Sequence, residues 1–140
     1  MNFTFTRRSV KQLYLKYTVM FVFLAVCIFG TYLLTGHTFI LSKDALNQHL
    51  PLMANYRAAL IHFFHHPGQF QYWSWKMGLG TDTFQVYSYY TIGDVFAYLA
   101  LLFPAAKMTL AYQVITVIRL YCVGLAFVYF AQPSFGVVVM

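Results

Sequence analysis

Two long apolar runs constrain the fold of this chain more than any other feature of its sequence. The first, residues 17–34, reads YTVMFVFLAVCIFGTYLL and holds no charged side chain. At about 1.5 Å of rise per residue, a helix of that length nearly crosses a hydrocarbon core of about 30 Å. The second run, residues 108–131, is interrupted by Arg119 alone and is long enough to span as well. The sequence therefore predicts two transmembrane helices.

The composition supports an integral membrane protein of the all-α class. Hydrophobic residues make up 61% of the chain and charged residues 9%, which lies well outside the usual composition of a soluble domain. Both cysteines fall inside apolar runs, so neither a disulfide framework nor a zinc site with paired ligands is indicated. The net charge of +6 comes from scattered basic residues rather than from a patch, which argues against nucleic acid as a partner.

Basic residues at the start of the chain predict its orientation. Four of the nine Lys and Arg residues lie in the first sixteen positions, without an acid. The positive-inside rule keeps this leader in the cytoplasm, which makes the protein a multi-pass protein of the cell membrane. A cleaved signal peptide is the competing interpretation, but no small-x-small cleavage site follows the apolar run. The sequence predicts a cytoplasmic leader (residues 1–16), a first span (17–35), an external loop (36–107), a second span (108–131) and the start of a truncated further segment (132–140).

The external loop is predicted to lie against the membrane. It holds both tryptophans and many tyrosines and phenylalanines, which favour the headgroup layer. Over about residues 44–66, polar and apolar side chains fall on opposite faces of a helix, which indicates an interfacial amphipathic helix. Pro51 leaves two starts open for it: at Asp44, or at the proline with Asp44 in the preceding turn. Residues 94–104 are too few to cross and end at a proline, so they predict a half-helix.

All three acidic side chains of the chain fall in this loop. Asp44 follows the first span closely and is either a helix cap or a reactive carboxylate. Asp94 directly precedes an apolar run, which favours a cap. Asp82 follows Gly78 and Gly80, but a third glycine and a strand–turn–helix unit are missing from this stretch, which argues against dinucleotide binding. Asp82 is a candidate for contact with a substrate or a metal.

Basic residues of the same loop, and one of the second span, are candidates for contact with an anionic ligand. Three histidines share one predicted helix face: His62, His65 and His66. No flanking acid completes a zinc motif, so the alternatives to a metal site are interfacial histidines or phosphate contacts. Lys76 is either a phosphate contact or a headgroup anchor. Arg57 falls in the otherwise apolar face of the loop helix. Arg119 either faces a polar cavity or an anionic partner, or snorkels to the cytoplasmic surface.

Three stretches follow the leader and first span in a recognisable order: SKDALNQHLPLMANYRAAL, WSWKMGLGTDTFQVYSYYTIGDVFAYLALLFP and IRLYCVGLAFVYF. In that order they resemble the bacterial YfhO-type membrane proteins, relatives of the polytopic GT-C glycosyltransferases. The likeness covers most of residues 1–131. Because YfhO-type proteins are far longer, the resemblance implies that this chain is the N-terminal part of one, with the N-terminal part of a GT-C fold.

The resemblance also implies an activity. GT-C enzymes transfer a sugar from a polyprenyl-phosphate donor to an acceptor outside the cytoplasmic membrane. YfhO-type proteins are associated with glycosylation of lipoteichoic acid or related cell-wall polymers in Gram-positive bacteria. The implied partners are therefore membrane lipid, this donor and this acceptor polymer. A non-catalytic membrane subunit and a lipid or polymer transporter are the alternative functions.

The resemblance assigns roles to particular residues. By position, the essential acid of the first external loop is Asp44, which would act as the base that activates the acceptor hydroxyl. Basic side chains or a divalent cation would stabilise the leaving lipid phosphate, and no metal-ligand set is assigned. The expected substrate-binding residues are Asp82, Lys76, Arg57, His62, His65 and Arg119.

Overall fold

Two long helices dominate a mostly helical chain in the computed structural model, which describes residues 7–138 and the side chains of residues 10–131. Helix α1 is Arg7–Leu34 and helix α4 is Met108–Val138. Each contains a stretch long and apolar enough to cross a membrane, Val10–Leu34 and Ala105–Ala131. The start of the predicted leader and the end of the predicted further segment lie outside the described residues. Both apolar runs therefore form helices, as predicted.

Helix α1 includes part of the basic leader and ends at a glycine. Residues 7–16 contain neither proline nor glycine, so nothing there interrupts the helix. At the other end Gly36 adopts a φ of +69°, which a residue with a Cβ rarely does. The N–H groups of His37 and Gly36 then donate to the carbonyls of Tyr32 and Leu33, at 3.0 and 3.3 Å. This Schellman motif satisfies carbonyls that the helix end would otherwise leave unpaired.

The chain divides into two compact units, of which the first comprises Met1–Phe39 and Thr116–Met140. Here the Tyr17 hydroxyl donates to the carbonyl of Tyr121 at 2.8 Å, and the Thr18 and Tyr121 hydroxyl oxygens lie 3.0 Å apart. The Tyr17 and Tyr121 rings stack with their centroids 5.6 Å apart. Gly124 packs so closely under Tyr17 that a Cβ would overlap the tyrosine ring. No side chain that the structure describes in this unit is buried.

The second unit, Ile40–Ile115, is built from short elements around helix α2, Leu50–His65. Strands β1, Trp73–Ser74, and β2, Thr81–Asp82, pair antiparallel, with Trp73 opposite Asp82. The elements in chain order are a π-helical turn Ala45–His49, α2 Leu50–His65, β1 Trp73–Ser74, β2 Thr81–Asp82, α3 Thr83–Tyr87, a π-helical turn Ser88–Ile92, the 3₁₀ helices Ala97–Leu102 and Ala105–Lys107, and the start of α4.

Two small hydrophobic clusters hold the second unit together. In one, Met53 of α2 packs with Ala100 and with three buried residues from the start of α4, which are Met108, Ala111 and Ile115. In the other, Tyr56 of α2 packs with Met77 and Tyr87. Met53 and Tyr56 are three positions apart, so both lie on one face of α2. That face therefore carries the core of the unit.

Three local features of this unit differ from the sequence-based expectation or refine it. The chain is already helical at Asp44 (φ −66°, ψ −40°), and Pro51 stands where the π-helical turn passes into α2. The predicted half-helix is a 3₁₀ helix, Ala97–Leu102, that ends before Pro104. The β1–β2 hairpin is not predicted by the sequence, because strands of two residues are too short to show an alternating pattern.

Candidate functional site

The three carboxylates of the second unit differ in what they bind. Asp82 caps α3, because its Oδ1 accepts the backbone N–H groups of two residues of that helix at 2.8 and 3.1 Å. The Oδ1 of Asp94 accepts the N–H of Phe96 at 3.0 Å in the turn before the 3₁₀ helix Ala97–Leu102, but the N-cap residue of that helix is Phe96, so Asp94 is not the predicted cap. Asp44 is exposed, and its side chain makes no cap hydrogen bond. The cap interpretation of Asp44 is therefore wrong, and its carboxylate is open to other partners.

Asp44 immediately precedes a π-helical turn that contacts a second one. The turns Ala45–His49 and Ser88–Ile92 have the wide winding that is rare in proteins and frequent at functional sites. The Tyr90 hydroxyl donates to Oε1 of Gln48 at 3.3 Å. The Tyr90 ring also meets the His49 ring edge-on, with centroids 5.3 Å apart. An amide, an imidazole and a phenol are thus held together beside the segment that carries Asp44.

Arg57, a predicted substrate contact, makes two hydrogen bonds within the protein. Its Nε–H is shared between the carbonyl oxygens of Ala100 and Phe103, at 3.2 and 2.8 Å. These carbonyls lie at the C-terminal end of the 3₁₀ helix, where the Ala100 carbonyl also accepts the N–H of Phe103. Half-buried Arg57 therefore joins α2 to the 3₁₀ helix, and this contact occupies its Nε–H.

A cleft of about 480 Å³ brings together two other predicted binding residues. His62 of α2 and Lys76 of the hairpin both line it. Tyr87 lines it as well, and burial raises the pKa of its hydroxyl, so this hydroxyl stays protonated at neutral pH. No carboxylate lines the cleft. Cationic and amide groups of this kind suit a ligand that carries phosphate or hydroxyl groups. The lining also includes the Trp75 indole and three side-chain amides, Asn55, Gln69 and Gln71.

Asp44 is not part of this cleft. Asn55, the first cleft residue in the sequence, comes eleven positions after Asp44 along a continuous helical segment. At about 1.5 Å of rise per residue, that corresponds to roughly 16 Å of helix. Asp82 and Arg57 are absent from the cleft lining as well. The structure therefore places His62 and Lys76 together, and Asp44 elsewhere on the same unit.

His65, the last residue of α2, and His66, which follows it, lie outside the cleft lining. Nδ1 of His65 lies 2.7 Å from the carbonyl oxygen of Ile61, within hydrogen-bond distance along the same helix. The rings of His62 and His66 pack at 5.0 Å between centroids. Among the described residues, no group of three or more His, Cys, Asp or Glu side chains could hold a metal ion.

Comparison with known proteins gives one match. The family model described as bacterial membrane protein YfhO matches residues 17–137. The chain belongs to the YfhO family. No curated protein and no solved structure matches the chain. The family match and the two apolar helices together identify a membrane protein, and they confirm the resemblance carried by its sequence motifs.

In this YfhO-family chain, Arg119 lies near the middle of α4 and belongs to the first unit. It stands fourteen residues after the start of the apolar stretch Ala105–Ala131 and twelve before its end. Its side chain is half-buried. A guanidinium so far from either end of an apolar stretch is costly in lipid and requires polar partners. The position favours a polar cavity or an anionic partner over snorkelling.

His49 is the residue beside Asp44 that sequence reasoning missed. With an α-helical period, position 49 falls away from the face that carries Asp44. In a π-helical turn, backbone hydrogen bonds join positions five apart, so His49 comes closer to that face. The π conformation has no sequence signature, and Tyr90, which contacts His49, is distant in the sequence. The only signal in the sequence that points to His49 is its spacing of five residues from Asp44.

Proposed function

We propose that this YfhO-family chain is part of a membrane glycosyltransferase. It transfers a sugar from a polyprenyl-phosphate donor to an extracytoplasmic cell-wall polymer such as lipoteichoic acid, and Asp44 is its catalytic base. The observation that carries the proposal is the difference among the three acids. Asp82 caps α3 and Asp94 accepts a backbone N–H in a turn, whereas the Asp44 side chain is exposed and makes no cap hydrogen bond. A carboxylate that serves as a base must be accessible to the proton it removes.

The proposed reaction is a displacement at the anomeric carbon of the donor sugar. The acceptor hydroxyl oxygen forms the new bond to that carbon while its proton passes to Asp44. The bond between the anomeric carbon and the phosphate oxygen breaks, and the lipid phosphate leaves with the bonding electron pair. Charge develops on the phosphate and needs nearby cationic or hydrogen-bonding groups.

The groups nearest to Asp44 in the helical segment differ from those first expected. His62 and Lys76 line a cleft that begins roughly 16 Å further along the helical segment. Lys43 directly precedes Asp44 and His49 follows it by five positions, and both side chains are exposed. We assign them to the leaving phosphate, while the cleft binds a more distant part of a substrate.

The decisive experiment replaces each acid by its amide in the chain as it is expressed in cells. Asp44→Asn should abolish incorporation of the sugar into the wall polymer at an unchanged protein level. Asp82→Asn is the matched control, because asparagine also caps helices and should preserve both fold and incorporation. If Asp44→Asn retains incorporation, the chain is instead a non-catalytic subunit or a lipid or polymer transporter.

A further inference from the structure

The tip of the β1–β2 hairpin exposes an apolar side chain completely. Leu79 is 100% exposed and Trp75 is 76% exposed. The turn that carries them contains Gly78 at φ +59° and Gly80 at φ +101°. We call residues 75–80 the hairpin tip. Fully exposed leucine next to largely exposed tryptophan is an unfavourable arrangement in water and indicates a surface that meets something else.

The hairpin tip is fixed rather than free to fold inward. Met77 of the tip is buried in the cluster with Tyr56 and Tyr87, which anchors the loop from beneath. The Trp75 ring packs directly over Gly80, where a Cβ would approach it to 2.7 Å. The Trp73 and Trp75 rings meet in a T-shaped arrangement with centroids 5.5 Å apart. Leu79 therefore projects from a rigid base that its neighbours hold in place.

The chemistry of the tip fits a lipid bilayer. Tryptophan favours the interface between headgroups and acyl chains, where its ring is in apolar surroundings and its N–H is hydrated. The exposed Lys76 can reach headgroup phosphates. Residues 67–81 contain no acidic side chain that anionic lipids would repel.

Chain connectivity keeps the unit that bears the hairpin near a bilayer. Only residues 35–39 separate the end of α1 from Ile40, the first residue of that unit. Five residues reach at most about 18 Å when fully extended. The last residues of the unit, up to Ile115, already belong to α4, whose apolar stretch is long enough to cross.

We propose that the hairpin tip inserts into the bilayer, with Leu79 among the acyl chains, Trp73 and Trp75 at the interface and Lys76 at the headgroups. The hairpin is thereby a third membrane contact of the chain, in addition to its two apolar helices. This role is distinct from proton transfer at Asp44, although Trp75 and Lys76 of the tip also line the cleft.

The chain itself supplies the probe for a test, because Trp73 and Trp75 are its only two tryptophans. Their fluorescence is measured with the full chain in nanodiscs of phosphatidylcholine and phosphatidylglycerol. The acyl chains are unlabelled, or carry bromine at a shallow or at a deep position. We expect blue-shifted emission, strong quenching by shallow bromine, weaker quenching by deep bromine and little quenching by aqueous iodide.

Two matched variants assign the effect to the tip. Leu79→Asp should lose most of the bromine quenching and gain quenching by iodide. Leu102→Asp changes another leucine of the same unit, 78% exposed and outside the hairpin, and should leave both signals unchanged. Equal loss of bromine quenching in the two variants would overturn the assignment to the hairpin tip.

The wild-type measurement decides the proposal even if a variant fails to fold. Absence of bromine quenching together with strong iodide quenching means that the tip lies in water, and overturns insertion. Shielding from both quenchers means that another protein segment or a second copy covers the tip, and overturns it equally.

Discussion

The two units of this chain differ in whether their apolar side chains are buried within the protein. In the first unit, none of the described side chains is buried, and its hydrogen bonds between helices involve the Tyr17, Thr18 and Tyr121 side chains. In the second unit, two clusters bury methionine, tyrosine, alanine and isoleucine side chains. The comparison shows that the first unit depends on a surrounding apolar solvent, whereas the second carries a core of its own.

The largest expected difference between the units concerns a single isoleucine in each. Ile115 is 1% exposed and belongs to the core of the second unit, so Ile115→Ala should lower the free energy of unfolding by about 2–5 kcal/mol. Ile28 of α1 is 54% exposed, and Ile28→Ala should change it by no more than about 0.5 kcal/mol. Equilibrium unfolding in detergent micelles measures both. Equal losses would contradict the proposed difference between the units.

Arg57 tests whether the second unit relies on buried polar contacts. Arg57→Met keeps an unbranched side chain but removes the N–H that the carbonyl oxygens of Ala100 and Phe103 share, which should cost about 1–3 kcal/mol of stability. The control is Lys107→Met, which removes an exposed cation and should be nearly neutral. An Arg57→Met protein of unchanged stability would favour the alternative role in substrate binding.

Two glycines test how closely the helices of the first unit pack. In Gly124→Ala the new methyl group meets the Tyr17 ring, and this overpacking should cost about 1–3 kcal/mol. Gly30→Ala places its methyl group 3.9 Å from Val26, an ordinary contact, and should be stabilising because alanine favours helix. The readout is thermal unfolding of the two variants in the same micelles. Effects of the same sign would show that the Tyr17 contact does not limit packing.

The acids of the second unit provide a smaller test, which compares the stability effect of a capping acid with that of an exposed acid. Asp82→Ala removes the cap of α3 and should cost about 1 kcal/mol. Asp44→Ala removes an exposed side chain without a cap bond and should alter stability by less than about 0.5 kcal/mol. Chemical unfolding of both variants measures this difference. A larger loss in Asp44→Ala than in Asp82→Ala would assign Asp44 a structural role.

The smallest expected effect is a pH dependence that arises from a buried tyrosine of the second unit. Burial, and in addition a hydrogen bond with Tyr98, raises the pKa of the Tyr56 hydroxyl well above its ordinary value. The folded state therefore holds this proton more tightly than the unfolded state, and the stabilisation is complete below about pH 10 and lost as pH rises above it. Tyr56→Phe should make the alkaline fall in stability shallower. The same change at exposed Tyr89 should leave the fall as it is.

The site could be predicted only where neighbours in the sequence determine it. The cap at Asp82 depends on backbone N–H groups two and three positions away. The position of Asp94 before an apolar run predicts a cap, but the 3₁₀ helix begins later, and Asp94 bonds the N–H of Phe96 in the preceding turn. The absence of a cap bond at Asp44 was not predicted, because its helix begins with a π-helical turn. The same applies to His49, whose contact with Tyr90 joins segments about forty positions apart.

The sequence alone determined the membrane class, the two apolar helices and the concentration of acids between them, because these follow from composition and from runs of adjacent residues. Only the tertiary structure decided the partners of particular side chains. Arg57, a predicted substrate contact, donates its Nε–H to the carbonyls of Ala100 and Phe103. His62 and Lys76, distant in the sequence, line one cleft, while Asp44 does not. Such partners depend on how short helices pack, and no local pattern in the chain encodes that packing.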